Sequence, residues 1–284
     1  MDNLEQGCCV VSCERPLDDQ YWDAQWKSNT TGWDLGEPAP PLVTLIDRLE
    51  NKNASILIPG CGSAYEAQYL IEKGFTNITL IDISQTACDI LSNKFAENAQ
   101  VKILCEDFFS HNERYDVIIE QTFFCALPPT LRQRYVWKMH QLLNENGILA
   151  GLLFNRTFEV SPPFGGSREE YEKLFQASFD IQKMETAPNS VTPRANTELS
   201  FYFKKNQKAV VRLYQFEGIT CTGCKNTVSD IFSKIDGVKN VSMSTDFREV
   251  LIVSDKEIDL KILQELISYE THYSITNYEF QITK

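Results

Sequence analysis

A chain of 284 residues with 43% hydrophobic and 23% charged residues is long enough for one or two packed domains and too apolar to stay mainly disordered. Its 27 basic and 39 acidic residues leave a formal charge of −12, which argues against a surface built to grip a nucleic-acid backbone. No apolar run reaches the roughly 18–20 residues that cross a bilayer, and the opening MDNLEQGCCVVSCERP sets acids ahead of a short apolar patch, unlike a secretory leader. The expected setting is soluble and cytoplasmic, with neither membrane nor nucleic acid as partner.

In chain order, Cys8, Cys9 and Cys13 come first, in a stretch that reads as a tail. Tyr21 opens an aromatic segment in which Trp22 and Trp26, four apart, share a helical face, with Trp33 following. Strands are then expected over 55–58, 78–82, 101–104, 117–119 and 147–154, with helices over 64–73, 86–98 and 129–143 between them. Alternation of this kind implies an α/β fold, a doubly wound parallel sheet covered on both faces, with ligands beyond the carboxyl ends of its strands. The strand-like LSFYFKK leads into polar residues 204–208, the expected boundary between a unit over 1–205 and one over 209–284. The second unit reads strand 210–216, helix 225–235, strands 238–242 and 250–253, helix 260–269 and strand 274–280. That is the ferredoxin-like βαββαβ order.

Two features of the first unit point to a nucleoside ligand. Gly60-Cys61-Gly62 sits between a strand and a helix start, where glycine lets a ligand approach the backbone and the helix offers free N–H groups. Asp82 ends the next strand, twenty residues after Gly62, where an acid can hold a ribose diol. A dinucleotide fingerprint would need a third glycine at position 65, and Tyr65 stands there, which disfavours a nicotinamide or flavin oxidoreductase. S-adenosylmethionine has a ribose and an adenine but no pyrophosphate. Asp107 and Phe108 follow the third strand, where an acid and a ring can serve an adenine or simply close a loop on the core. The early tryptophans either pack the segment down or hold a sulfonium against their faces.

These residues resemble a known family. The W-x-x-x-W…G-W segment, I-P-G-C-G, L-I-D-I-S, C-E-D-F-F, E-Q-T-F-F-C-A-L-P-P and S-P-P-F-G look like the thiopurine methyltransferase superfamily, and most like its halide and thiol methyltransferase branch, over about 21–203. The resemblance implies a class I, Rossmann-like methyltransferase fold with S-adenosylmethionine as methyl donor. It carries cofactor contacts onto Trp22, Trp26, Trp33, Gly60, Asp82, Asp107 and Phe108, and onto Gln121, where that branch often has tyrosine. No universal catalytic base comes with it, which suits a soft nucleophile that ionises readily and needs alignment and desolvation. The three histidines, His111, His140 and His272, form no acid–base constellation in the sequence. Phe123, Phe124 and Arg156 are the substrate-facing candidates, Arg156 as an attractor of anions or as an ordinary solvated arginine.

Cys221 and Cys224 stand at i and i+3 in a loop entering the second unit's first helix, so their thiolates can converge on one soft ion. A thioredoxin-like redox pair shares the spacing, but neither the element order nor the neighbouring residues match it. The G-I-T-C-T-G-C run resembles the heavy-metal-associated domain, which implies Cu(I), Zn(II) or Hg(II) on these two sulfurs. The combined expectation is a methyltransferase for a small thiol, halide, thiocyanate or metalloid acceptor, with an attached soft-metal module. The alternative is a non-catalytic soft-metal carrier or sensor that uses the large unit as scaffold.

Overall fold

The structure is a computed structural model that describes residues 16–278. Cys8, Cys9 and Cys13 lie outside the described residues, as does the end of the strand expected over 274–280. The first elements are helices α1 (Asp19–Lys27) and α2 (Pro40–Ile46). Then β1 (Ile56–Pro59), α3 (Tyr65–Glu72), β2 (Ile78–Asp82), α4 (Gln85–Lys94), β3 (Val101–Cys105) and β4 (Tyr115–Glu120) alternate as expected. After α5 (Arg132–Leu142) and β5 (Leu143–Phe154) come α6 (Arg168–Phe175), β6 (Phe179–Thr186) and β7 (Glu198–Lys205).

The seven strands lie in the order β3-β2-β1-β4-β5-β7-β6. The first five run parallel, and β7 is antiparallel to both β5 and β6, so the sheet is mixed rather than all parallel. The reason is topological: β7 inserts between β5 and β6, so a chain returning from β6 must run the opposite way. No element is expected from the sequence pattern at α2, α6 or β6. Two prolines at the start of α2 look like a turn but sit in its first helical turn, where a missing N–H costs nothing. The start of α6 did carry a signal, the reciprocal capping box of Ser167 with Glu170.

Side chains alternate across the sheet. Ile56 and Ile58 pack with Ile78, Leu80, Ala67 and Leu70 under α2, α3 and α4, whereas Leu57, Ile81, Ile118 and Leu149 face α5 and α6. The second sheet, β11-β8-β10-β9, is antiparallel and is built from β8 (Val210–Glu217), β9 (Val238–Met243), β10 (Glu249–Ser254) and β11 (Ser274–Tyr278), with helices α7 (Thr222–Ser233) and α8 (Leu260–Glu270). The βαββαβ order matches expectation. One of its faces packs Tyr214, Phe216, Val250 and Ile252 against Val228, Phe232 and Leu263 of α7 and α8. The other presents Val211, Leu213, Leu251 and Val253, which merge with the core of the large unit around α5. Helix α5 is thereby buried on two sides, and even Lys138 is 2% exposed. Among the described residues no helix is long and apolar enough to cross a membrane.

Candidate active site

A cleft of about 720 Å³ opens over the carboxyl ends of the parallel strands, where a doubly wound sheet places its ligand. Its floor is the glycine bend. Gly60 and Gly62 have φ of +54° and +51°, and a Cβ on Gly60 would stand 2.4 Å from the ring of Phe123. Only glycine meets both demands without strain. The Asp82 carboxylate takes one hydrogen bond from the Gly62 N–H (3.0 Å) and one from the Ser84 N–H (2.9 Å), and it lines the cleft. Burial raises its pKa while those donors oppose the rise. Each carboxylate oxygen retains a lone pair, so a diol can still be accepted there.

Helix α1 roofs one end of the cleft. Trp22 and Trp33 meet edge to face at 5.6 Å, Trp26 and Trp33 at 6.3 Å, and all three line the cleft. A residue that the sequence reading did not single out holds this roof in place. Asp23 accepts from the Thr86 N–H (2.8 Å) and the Ser84 hydroxyl (3.0 Å) at the start of α4, and Lys27 pairs with it at 2.6 Å. Lys27 and the Thr86 N–H hold the Asp23 carboxyl well below its ordinary range. At the third strand end, the Asp107 side chain accepts from the Phe109 N–H and starts a short 3-10 turn, while Phe108 packs edge to face on Phe123 at 5.0 Å. Asp107, Phe108 and Phe123 all reach the cleft.

Two expected residues do not. Phe124 is 2% exposed and sits behind the cleft wall, packed on Tyr135 and Tyr171. Successive residues in a 3-10 turn point about 120° apart, so turning Phe123 inward turns Phe124 into the core. Gln121 is also absent from the walls. It follows the last strand residue, Glu120, on the opposite side of the chain, and its amide oxygen is buried without a hydrogen-bond partner among the described residues. Glu120 organises this turn. One of its oxygens accepts from the Phe123 and Phe124 N–H groups (2.7 and 2.9 Å), and the other from the Tyr135 hydroxyl (2.6 Å). Burial lifts its pKa to about 7.

The far end of the cleft is walled by Phe154, Phe158, Pro162, Pro163 and Cys125, with Arg156 and Arg194 at its edge. Arg156 lies over Phe158 at 4.7 Å. Arg194, which the sequence reading passed over, is fixed by a 2.7 Å bond to the Trp33 carbonyl and by Glu198 at 3.4 Å. Cys125 donates to the Thr122 carbonyl, and burial pushes its thiol up, so it is held neutral. None of the three histidines lines the cleft. His111 is buried between Glu106 and Tyr115, and burial keeps its pKa low. His140 is buried against Phe179, with its pKa pushed down to about 3. His272 lies against Tyr273, with ring centres 4.6 Å apart and the planes tilted by 58°.

In the small unit, Cys221 caps α7, and its sulfur lies 2.7 Å from that of Cys224. Hydrogen bonds from Cys221 and Tyr273 bring the Cys224 thiol down to about 6. Two adjacent sulfurs near a helix N-terminus, one already acidic, suit a two-coordinate soft ion. Among the described residues no cluster of three or more His, Cys, Asp or Glu side chains offers a larger ligand set.

Comparison with known proteins accords with this geometry. Residues 17–214 match the thiopurine S-methyltransferase family and residues 213–270 match the heavy-metal-associated domain. A probable thiol methyltransferase 2 of Arabidopsis thaliana is 32% identical over 192 residues, spanning 65% of this chain and 84% of that protein. Thiocyanate methyltransferase 1 of Brassica oleracea is 28% identical over 191 residues, again 65% and 84%. The fold is that of the Burkholderia thailandensis 1,6-didemethyltoxoflavin-N1-methyltransferase, solved with S-adenosylhomocysteine: TM-score 0.56 at 15% identity, over 66% of this chain and 87% of that one. The chain therefore belongs to the thiopurine S-methyltransferase family of S-adenosylmethionine-dependent methyltransferases, and it carries a heavy-metal-associated domain on its C-terminal side.

Proposed function

We propose that this methyltransferase acts on a small, soft, anionic acceptor: a thiolate, thiocyanate, a halide or a reduced metalloid. The observation that carries the reading is the make-up of the acceptor end, where two guanidiniums border apolar walls and no histidine is present. An oxygen or carbon acceptor would call for a proton acceptor there, whereas a soft anion needs attraction, alignment and exclusion of water. The relatives named for thiols and thiocyanate agree with it.

The cleft fits S-adenosylmethionine, which supplies a methyl group on an activated sulfonium. In this reading Asp82 accepts from the ribose diol. Gly60 and Gly62 let the ligand lie against the backbone, and Asp107 with Phe108 offers an acid and a ring to the adenine. Trp22, Trp26 and Trp33 offer π-faces to the cation and keep water away from it. Arg156 and Arg194 draw the anion to the opposite side, while Phe123, Phe154 and Phe158 desolvate it. We assign no role at the cleft to Phe124 or Gln121.

The methyltransferase unit is read as lying within residues 1–205 and the metal unit within 209–284, with Cys221 and Cys224 as ligands of Cu(I) or a similar soft ion. A reducing compartment, the cytoplasm, would keep both thiols available. The test is a labelled-methyl assay against thiols, iodide, thiocyanate, selenite and tellurite, with and without Cu(I). Transfer to at least one soft anion is expected. Transfer confined to oxygen or nitrogen acceptors would reject the reading. Metal stoichiometry of the Cys221→Ser/Cys224→Ser variant tests the module, and the expected result is loss of one bound Cu(I) per chain.

A further inference from the structure

The second unit meets the wall of the methyltransferase cleft through a charged pair. Arg134, in the first turn of α5, lines the cleft. Its guanidinium is held by Glu249, the first residue of β10, through Nε at 2.8 Å and through Nη2 on the same oxygen. Glu249 is 4% exposed and is itself fixed: its N–H donates to the Ser244 hydroxyl (2.9 Å), and its carbonyl accepts from the Ser244 N–H (2.8 Å). On the cleft side, the Arg134 guanidinium lies 5.8 Å from the centre of the Phe109 ring, and Phe109 meets Phe108 edge to face at 5.4 Å. The chain of contact therefore runs from a carboxylate of the second sheet, through an arginine, to the aromatic pair beside Asp107.

We infer that Glu249 is a positioning residue for methyl-donor binding: it holds Arg134 against Phe109 so that the Asp107–Phe109 turn is preformed for the adenine. The inference rests on the reading that S-adenosylmethionine occupies this cleft with its adenine at that turn. An arginine side chain has many rotamers, and fixing it in one costs entropy. With a buried carboxylate as partner it stays in one place, and without it the guanidinium must turn elsewhere for solvation. The apolar side chains of Leu251 and Val253 dock the same sheet through the shared core, so they supply the control.

The experiment is calorimetric titration of the full chain with S-adenosylhomocysteine, alongside thermal unfolding. Glu249→Ala is expected to raise Kd roughly tenfold, about 1.4 kcal/mol. Arg134→Ala is expected to act similarly, and the double variant should be no weaker than the worse single one. Leu251→Ala should lower the unfolding midpoint and leave Kd within threefold of wild type. The inference is overturned if Glu249→Ala stays within threefold, if the two single effects multiply in the double variant, or if Leu251→Ala weakens binding as much as Glu249→Ala does. Failure of the unmutated chain to bind would instead overturn the reading of the cleft, and this inference with it.

Discussion

Glu120 shows how one buried acid shapes the cleft without touching a ligand. Its carboxyl group receives three hydrogen bonds, from two backbone N–H groups and a tyrosine, yet burial still lifts its pKa from 4.5 to about 7. Below pH 4.5 it is protonated in both folded and unfolded chains, and the stability it contributes is at its fullest. Between 4.5 and 7 the unfolded chain ionises while the folded one keeps its proton, so stability falls as pH rises, by roughly 3 kcal/mol in all. Glu120→Gln keeps acceptor and donor in suitable places and should flatten that slope in denaturant titrations at pH 5 and 7. Glu120→Ala leaves three polar groups buried and unpaired, and should cost about 3 kcal/mol or more at either pH. Gly60→Ala should fold but bind S-adenosylhomocysteine at least about tenfold more weakly, because the methyl group meets Phe123 and the backbone holds positive φ. The glycines, Asp82 and the tryptophans were legible in the sequence because their spacing reports a strand, a turn and a helix face. Choosing between Phe123 and Phe124 was not, since the direction of a 3-10 turn depends on which groups Glu120 receives. Arg194 was equally hidden: its partner Trp33 is 161 residues away.

At the scale of elements, strands β1 to β4 announced themselves as short apolar runs, and α3 and α4 as periodic stretches between them. What stayed illegible was the attachment of α1. Its aromatic face was readable, but the helix has no fully buried residue, and Asp23 ties it to the start of α4 by accepting from Ser84 and Thr86. That arrangement makes Asp23 a pin between the roof and α4. Asp23→Ala should therefore raise KM for S-adenosylmethionine several-fold, leaving kcat at saturation nearly unchanged and the unfolding midpoint within a few degrees. Asp23→Asn keeps one acceptor for Thr86 and should lose less. Steady-state kinetics with varied donor concentration distinguishes the two, and equal KM values for both variants and wild type would remove the pinning role.

At the scale of the whole molecule, the two units are joined through a shared apolar core. The turn after Lys205 is short, and the β8–β10 face buries Leu213, Leu251 and Val253 in the same core as α5. Polar residues of α5 meet the second sheet: Arg134 pairs with Glu249, and the Gln141 amide donates to the Val211 carbonyl at 3.4 Å. The two units should therefore unfold together. All four tryptophans, Trp22, Trp26, Trp33 and Trp137, precede residue 209, whereas the proposed metal ligands follow it. Tryptophan fluorescence thus originates in the large unit, with Trp137 in the core that the two units share. A ligand that binds only the folded state stabilises by about 2.7 kcal/mol when its free concentration is a hundred times Kd. If unfolding is shared, Cu(I) bound at Cys221 and Cys224 should raise the tryptophan-monitored midpoint by about 5 °C, and the Cys221→Ser/Cys224→Ser variant should show no shift. A fluorescence midpoint indifferent to metal in the unmutated chain, with metal demonstrably bound, would mean that the units melt separately and that the shared core does not couple them.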